Sequence, residues 1–312
     1  MRLSTLWSIL GFLFVGCSGS TDPRWAASGA GGGIIATRDA APGIMVPPAA
    51  DFIKTEAGGY KLGPAIGPGF ADAGVTLPSG CGIIVGVVRD FKKANEAGGH
   101  PDFEAYDYAF GPTRGLVLPT LGADTKPVYG SRCNTPNPDP GTCPAGPQLA
   151  SKADFDEWYR NTPGVNQSYL LFVMVAPSGP VVTFDSELFF PLDGTGWGNS
   201  GQGEDGKQHN FGFTTEVHTT FQYSGGEKFG FTGDDDLWVF LNGKLAIDLG
   251  GVHPALNGTV DLDASAAELG IFKGGTYALD LFHAERHTTA SHFRIDTTLT
   301  LVDCGILPPD VR

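Results

Sequence analysis

Three carboxylates stand in a row at Asp234-Asp235-Asp236, and such a row asks for a cation. Neighbouring unit charges about 5 Å apart repel by roughly 3 kcal/mol at an effective dielectric near 20. A hard divalent ion reverses the sign of that repulsion, and Ca²⁺ takes carboxylate and carbonyl oxygens as ligands. A solvated acidic turn is the competing reading, since Asp is frequent in turns. The residues that follow supply a frame. Leu237 to Leu241 and Leu245 to Leu249 are apolar runs on either side of Asn242-Gly243. That dipeptide is the strongest two-residue hairpin signal, because both turn positions need positive φ. With this turn, Leu237 is expected opposite Asp248 and Asp236 opposite Leu249, which brings Asp248 beside the acidic run. Gly250-Gly251 then permits a sharp bend, and His253 reaches the same end.

Other chemistries compete. His283 and His287 stand four apart, a spacing that would share a zinc ion on a helix. Here the segment reads as a strand running into a loop, where residues four apart lie about 13 Å apart. A glycosidase needs two carboxylates roughly 5–9 Å apart. The glycine-rich stretch Gly194 to Gly206 offers Glu204 and Asp205, but nothing marks either as a proton donor. Asp90, Asp102 and His100 are a conceivable catalytic set, yet residues of these types more often serve turns and caps. Trp197 and Trp238 offer flat faces to sugar C–H groups. Trp238 sits inside a strand and reads as core, whereas Trp197 lies in the glycine-rich loop, where binding residues often sit.

A longer pattern connects these residues. Gly233-Asp234-Asp235-Asp236-Leu237-Trp238-Val239-Phe240-Leu241-Asn242-Gly243-Lys244, then Asp248-Leu249-Gly250-Gly251-Val252-His253, then Ala284-Glu285-Arg286-His287, resembles the signature of the fibro-slime domain family. That family is a branch of the protective-antigen-type β-sandwich superfamily, which includes sugar-binding adhesins and modules attached to glycosidases. Arg89-Asp90-Phe91 and His100-Pro101-Asp102-Phe103 match it too, and the resemblance runs from about Gly82 to Asp303. It implies a non-catalytic module that binds carbohydrate through calcium. In the adhesin branch two adjacent aspartates joined by a cis peptide hold the ion; they match Asp234 and Asp235, while Asp236 stands where glycine is usual. The resemblance also brings Glu285, Arg286 and His287 to the site. Glu285 would complete the coordination, and Arg286 would pair with a core carboxylate. The expected metal ligands are therefore Asp234, Asp235, Asp236, Asp248 and Glu285, with Trp197, His253 and His287 toward the bound ligand.

The elements needed to position such a site are mostly strands. Apolar or alternating runs occur at 82–88, 169–175, 181–190, 216–223, 228–231, 258–263, from 276 onward and at 291–303. Ser151-Lys152-Ala153-Asp154 resembles a capping box and predicts one short helix near Lys152 to Arg160, with Phe155, Trp158 and Tyr159 on one face. Many short strands with glycine turns and little helix predict an all-β, antiparallel β-sandwich with one short helix. Residues 80–305 form this domain and 306–312 a short tail; about 220 residues are ample for one core.

The remainder reads as export and tethering. Met1 to Gly16 has a basic Arg2 and a short apolar core, too short to span a bilayer, which reads as a signal peptide. Leu13-Phe14-Val15-Gly16-Cys17 resembles the bacterial lipobox, which implies that Cys17 is acylated; an ordinary signal peptide with a chance cysteine is the alternative. Residues 17–79, rich in Gly, Ala and Pro, read as a flexible linker. Four cysteines follow Cys17, and four allow three pairings. Cys133 with Cys143 is favoured, because the Pro/Asn/Gly segment between them folds back easily; Cys81 with Cys304 would clamp the domain's two ends. The net charge of −14 argues against nucleic acid or anionic lipid as a partner. The expectation is an exported lipoprotein on a bacterial outer membrane or cell surface, binding calcium and matrix carbohydrate. A structural matrix protein with a stabilising calcium, and a polysaccharide hydrolase, are the alternatives.

Overall fold

The computed structural model describes residues 83–306 apart from 135–142, 144–145, 175 and 179, together with the backbone of three short strands before them. The signal segment, Cys17, Cys81 and residues 307–312 lie outside the described residues. In chain order the strands are β1 (Ile44–Met45), β2 (Phe52–Lys54), β3 (Tyr60–Leu62), β4 (Ile83–Phe91), β5 (Asn166–Met174), β6 (Ala176–Ser178), β7 (Val181–Ser186), β8 (Gly201–Gln202) and β9 (Gln208–His209). They continue with β10 (Phe213–Gln222), β11 (Lys228–Gly233), β12 (Asp236–Leu241), β13 (Lys244–Leu249), β14 (Leu256–Asp261), β15 (Thr276–Glu285), β16 (Phe293–Thr297) and β17 (Thr300–Asp303).

These strands build the expected antiparallel sandwich. The larger sheet runs β1-β5-β4-β10-β15-β12-β13, with β17 also paired to β10; the smaller runs β14-β11-β16-β7-β6. β1 and the β2–β3 pair lie in the range read as linker, and β1 adds to the edge of β5. The 291–303 run breaks at Thr298–Leu299, so that β16 joins the smaller sheet and β17 crosses to the larger.

Two short helices are present among the described residues. α1 (Lys152–Asp156) is shorter than expected, with the Ser151 side chain accepting from the Asp154 N–H as the capping pattern requires. A second helix, α2 (Leu262–Leu269), is capped by the Asp261 side chain and ends on left-handed Gly270. Cys133 and Cys143 form a disulfide. Cys304 is also disulfide-bonded, and its carbonyl accepts from the Val85 N–H at 2.8 Å, which ties the end of the domain to β4.

The hairpin register differs from the expected one. Leu237 pairs with Leu249 and Trp238 with Asp248, because Ala246 is an extra residue between the pairs Val239–Ile247 and Phe240–Leu245. The physical reason is burial. Ile247 and Leu249 pack with Leu237, Val239 and Leu241 in the core between the sheets. A bulge-free register would turn them to the other face.

The larger sheet is buried on both faces. Opposite the sandwich core, Phe91, Trp238, Phe240 and Phe282 pack against Phe103, Phe155, Trp158 and Tyr159, from the 92–165 segment that covers that face. A buried charged network lies on the same face. Glu216 meets Arg89 Nη1 at 2.6 Å, Lys126 Nζ, and His218 Nε2 at 2.6 Å. His218 Nδ1 meets Asp280 at 2.6 Å. Burial acting alone would lower the His218 pKa, but its bonds to Asp280 and Glu216 outweigh burial and raise it from 6.5 to about 9. A raised histidine pKa contributes stability that is fully present below pH 6.5 and lost as pH climbs through about 9. Unfolding free energy should therefore fall by about 3 kcal/mol across that window. Urea melts on either side of it check this, and His218→Gln should flatten the dependence.

Candidate functional site

The acidic run sits where β12 begins, at the same end of the larger sheet as the end of β15, the end of β13 and the loop at 286–292. Asp236 pairs with Ala284, and β12 and β15 are neighbours. Side chains alternate along both strands. His283 and Glu285 therefore share the face of Leu281 in the sandwich core, whereas Asp236 shares the face of Trp238.

Asp234, Asp235 and Glu285 are 4%, 3% and 0% exposed. Asp234 Oδ2 accepts the His292 N–H at 3.0 Å and lies 2.6 Å from its Nδ1, while Oδ1 is buried with no partner. Asp235 has φ +50° and donates its N–H to the His253 carbonyl at 3.2 Å. Its Oδ2 accepts the Arg286 N–H at 2.7 Å. Neither Glu285 oxygen makes a hydrogen bond of good geometry, although the Ser291 and Asp235 side chains lie close enough to act on its titration. Both ring nitrogens of buried His283 are likewise unpartnered, with the Asp234 backbone close by.

The electrostatics follow from this geometry. Burial raises the Asp235 carboxyl to about 6 against the opposing pull of Arg286. Burial, and then the charges of Asp235 and Asp234, push Glu285 well above the usual carboxylate range. Burial lowers His283 to about 3. Unpaired buried oxygens on two neighbouring carboxylates, Asp234 and Glu285, are costly. A cation with oxygen preference is the group whose binding would relieve that cost, so the chemistry of these donors fits Ca²⁺, although the donor atoms of Asp234, Asp235 and Glu285 do not all lie within 4.8 Å of one another.

The other expected ligands are placed differently. Asp236 accepts the Gly251 N–H at 2.6 Å and Arg286 Nε at 2.5 Å, so both of its oxygens serve the protein. Arg286 is thus the partner of a core carboxylate, as expected, and its Nη1 also donates to the carbonyls of Asp102 and Gln148 at 3.1 and 3.0 Å. Asp248 does not join the acidic group. The bulge turns it to the face of Trp238, where it accepts from Trp238 Nε1 at 3.1 Å and from the Gly115 N–H at 3.0 Å. His253 is buried, and both its ring nitrogens lie 2.9 Å from carbonyls, those of Leu249 and Pro254. His287 Nδ1 faces the Thr288 carbonyl. Trp197 is 39% exposed, with Lys92 Nζ 4.2 Å above its ring. The Asp234–Asp235 peptide is not cis; the cis bond among the described residues is Thr288–Thr289.

Asp90, Asp102 and His100 do not assemble as a set. Asp90 accepts from the Trp197 N–H and from Asn210, while Asp102 accepts from the Ala150 N–H and Trp158 Nε1. Among the described residues, His100, Asp154 and Glu157 are the group whose donor atoms all lie within 4.8 Å of one another. The His100 ring is already engaged there, by the Asp102 N–H on Nδ1 and the Asp154 carbonyl on Nε2. His292, which grips Asp234, carried no sequence signal; it comes from the opposite sheet's side of the chain.

Residues 179–311, which hold every residue of this acidic end, match the PA14 domain family. Over 227 residues the chain is 34% identical to protein psiR of Dictyostelium discoideum, covering 68% of this chain and 21% of psiR. It is 35% identical to protein psiQ of the same organism, over 64% of this chain and 20% of psiQ. It is 38% identical to protein psiD, over 66% of this chain and 41% of psiD. The chain thus spans between a fifth and about two fifths of the length of these relatives. Among solved structures, a PA14 sugar-binding domain from an RTX adhesin aligns over 39% of this chain and 72% of its own, at 10% identity and a TM-score of 0.25.

Proposed function

We propose that this chain is a calcium-dependent carbohydrate-binding module of the fibro-slime type, in which Asp234, Asp235 and Glu285 hold the ion. The observation that carries this reading is the set of buried oxygens without partners, Asp234 Oδ1 and both Glu285 oxygens, gathered at one strand end. Bound calcium would supply a Lewis-acidic point for vicinal sugar hydroxyls. The chain's own part is to fix the donors. Arg286 and Gly251 lock Asp236, and the Arg286 N–H and the His253 carbonyl pin Asp235 at both its side chain and its backbone. The match of residues 179–311 to a PA14 domain agrees with this role, since the superfamily that the sequence resembles includes sugar-binding adhesins.

The wider setting is proposed in the same way: export, acylation at Cys17, and attachment to a cell surface facing matrix carbohydrate. One observation favours a second reading. Asp234 and Asp235 are only 4% and 3% exposed, which suits an ion that stabilises the fold without touching sugar. A glycan array probed in Ca²⁺ and again in excess EDTA separates the two. Glycan binding that EDTA abolishes is the expected result. Calcium-dependent stability with no glycan bound would support the structural reading, and hydrolysis of a bound polysaccharide would favour an enzyme.

A further inference from the structure

Two aromatic rings stand in solvent beside this acidic end. Phe110 is 88% exposed and Tyr108 54%, and the rings meet edge to face with centroids 5.6 Å apart. Large apolar side chains left this open are unusual enough to ask for an occupant. The segment that carries them is stitched down. The Glu104 N–H donates to the Arg286 carbonyl at 2.7 Å, that of Ala109 to Val252 at 2.9 Å, and that of Thr113 to Gly250 at 2.6 Å. The Thr288 N–H closes the same seam on Glu104 Oε1 at 2.7 Å. Ala109, between the two aromatics, is buried, while both its neighbours are exposed. Its partner Val252 adjoins His253, whose carbonyl holds the Asp235 N–H. The ring pair and Asp235 are therefore fixed to adjacent residues of one turn.

We infer that Tyr108 and Phe110 form a stacking platform for one pyranose unit of a neutral polysaccharide whose neighbouring unit sits at the Asp234–Asp235 end. This rests on the sugar-binding reading above. The chemistry favours that occupant. Aromatic faces suit the C–H faces of sugars, and the Tyr108 hydroxyl can bond a sugar hydroxyl at the rim. Glu104 and Asp107 flank the patch and the chain carries −14, which disfavours an anionic ligand. Two side chains also fall well short of the roughly 800 Å² per partner that a stable protein interface buries. Phe272, exposed as well, does not extend the patch: it follows Gly270, whose carbonyl accepts from Asn242 at the hairpin turn, the far end of β12.

The double substitution Tyr108→Ser with Phe110→Ser tests this. Binding of mannose, glucose and their linear hexasaccharides would be measured in Ca²⁺ beside a calcium-induced thermal shift and the sedimentation coefficient. The expected result is hexasaccharide affinity reduced about tenfold, a monosaccharide affinity that changes far less, and an unchanged calcium shift. Equal hexasaccharide affinity in the variant and the parent would overturn the platform and leave the calcium site standing. A parent that binds no sugar overturns both readings together. A parent dimer that the substitutions dissociate would make the patch a self-association surface and overturn the inference.

Discussion

Glu216→Gln should cost about 3–5 kcal/mol of unfolding free energy, one of the two largest effects foreseen for a single substitution in this domain. Glu216 is buried among Arg89, Lys126 and His218, and those three cations share it as a common carboxylate. Burial would raise its pKa, yet the charges of Lys126 and Arg89 hold it well below the usual range. Glutamine keeps the shape and removes the charge, which leaves buried cations without the anion that compensates their desolvation. For a domain of this size the cost corresponds to a fall in Tm of roughly 10 °C. Urea denaturation measures it. Pairing the change with Lys126→Met should recover part of the loss, because one cation then disappears with its counter-charge. Full stability in Glu216→Gln would mean that water reaches the network.

Removing calcium is the second large effect. If Asp234, Asp235 and Glu285 share an ion, excess EDTA should lower Tm relative to protein held in Ca²⁺ at about 100 times its dissociation constant. That saturation stabilises by about 2.7 kcal/mol, or roughly 5–10 °C here. Asp235→Asn separates a specific ion from general screening by the sign of two changes. The variant should lose most of the calcium-induced rise. In EDTA it should equal or exceed the parent, since burial penalises the Asp235 charge more than Arg286 compensates it once the ion is gone. A variant that is less stable in EDTA and still responds fully to calcium would make Asp235 a backbone support. Its hydrogen bond from the Arg286 N–H already gives it that capacity.

What the sequence made legible was local. The Asn242-Gly243 turn, both apolar strands and the Ser151 cap follow from residues within a few positions of one another. The pairing of Arg286 with a carboxylate was also legible, because a guanidinium fork matches carboxylate geometry wherever it is buried. Register was not. The extra residue at Ala246 exists because Ile247 and Leu249 must both reach the core, a tertiary demand that a count of residues from the turn does not contain. The error fell on the site, where it assigned Asp248 to a group it does not touch. The alternation of Val217, Thr219, Phe221 and Tyr223 puts Glu216 and His218 on the opposite face of the strand from that set. That this face is itself buried depends on the 92–165 segment, of which the aromatic helix face of Phe155, Trp158 and Tyr159 was legible as sheet-packing and the rest was not. Arg286 shows the same limit, since its carbonyl acceptors Asp102 and Gln148 lie 184 and 138 residues away. The solvent-facing pair Tyr108 and Phe110 is not legible, because sequence alone does not separate an exposed aromatic from a core one.

The most direct test of the central claim is a calorimetric titration of Ca²⁺ into metal-stripped protein, repeated with Asp235→Asn and with Asp248→Asn. One ion per chain in the parent, binding at least tenfold weaker in Asp235→Asn and unchanged binding in Asp248→Asn are the predicted results. Absence of binding in the parent, or an Asp235→Asn variant that binds as tightly as the parent, would contradict the account and leave Asp234 and Asp235 as residues of the turn into β12.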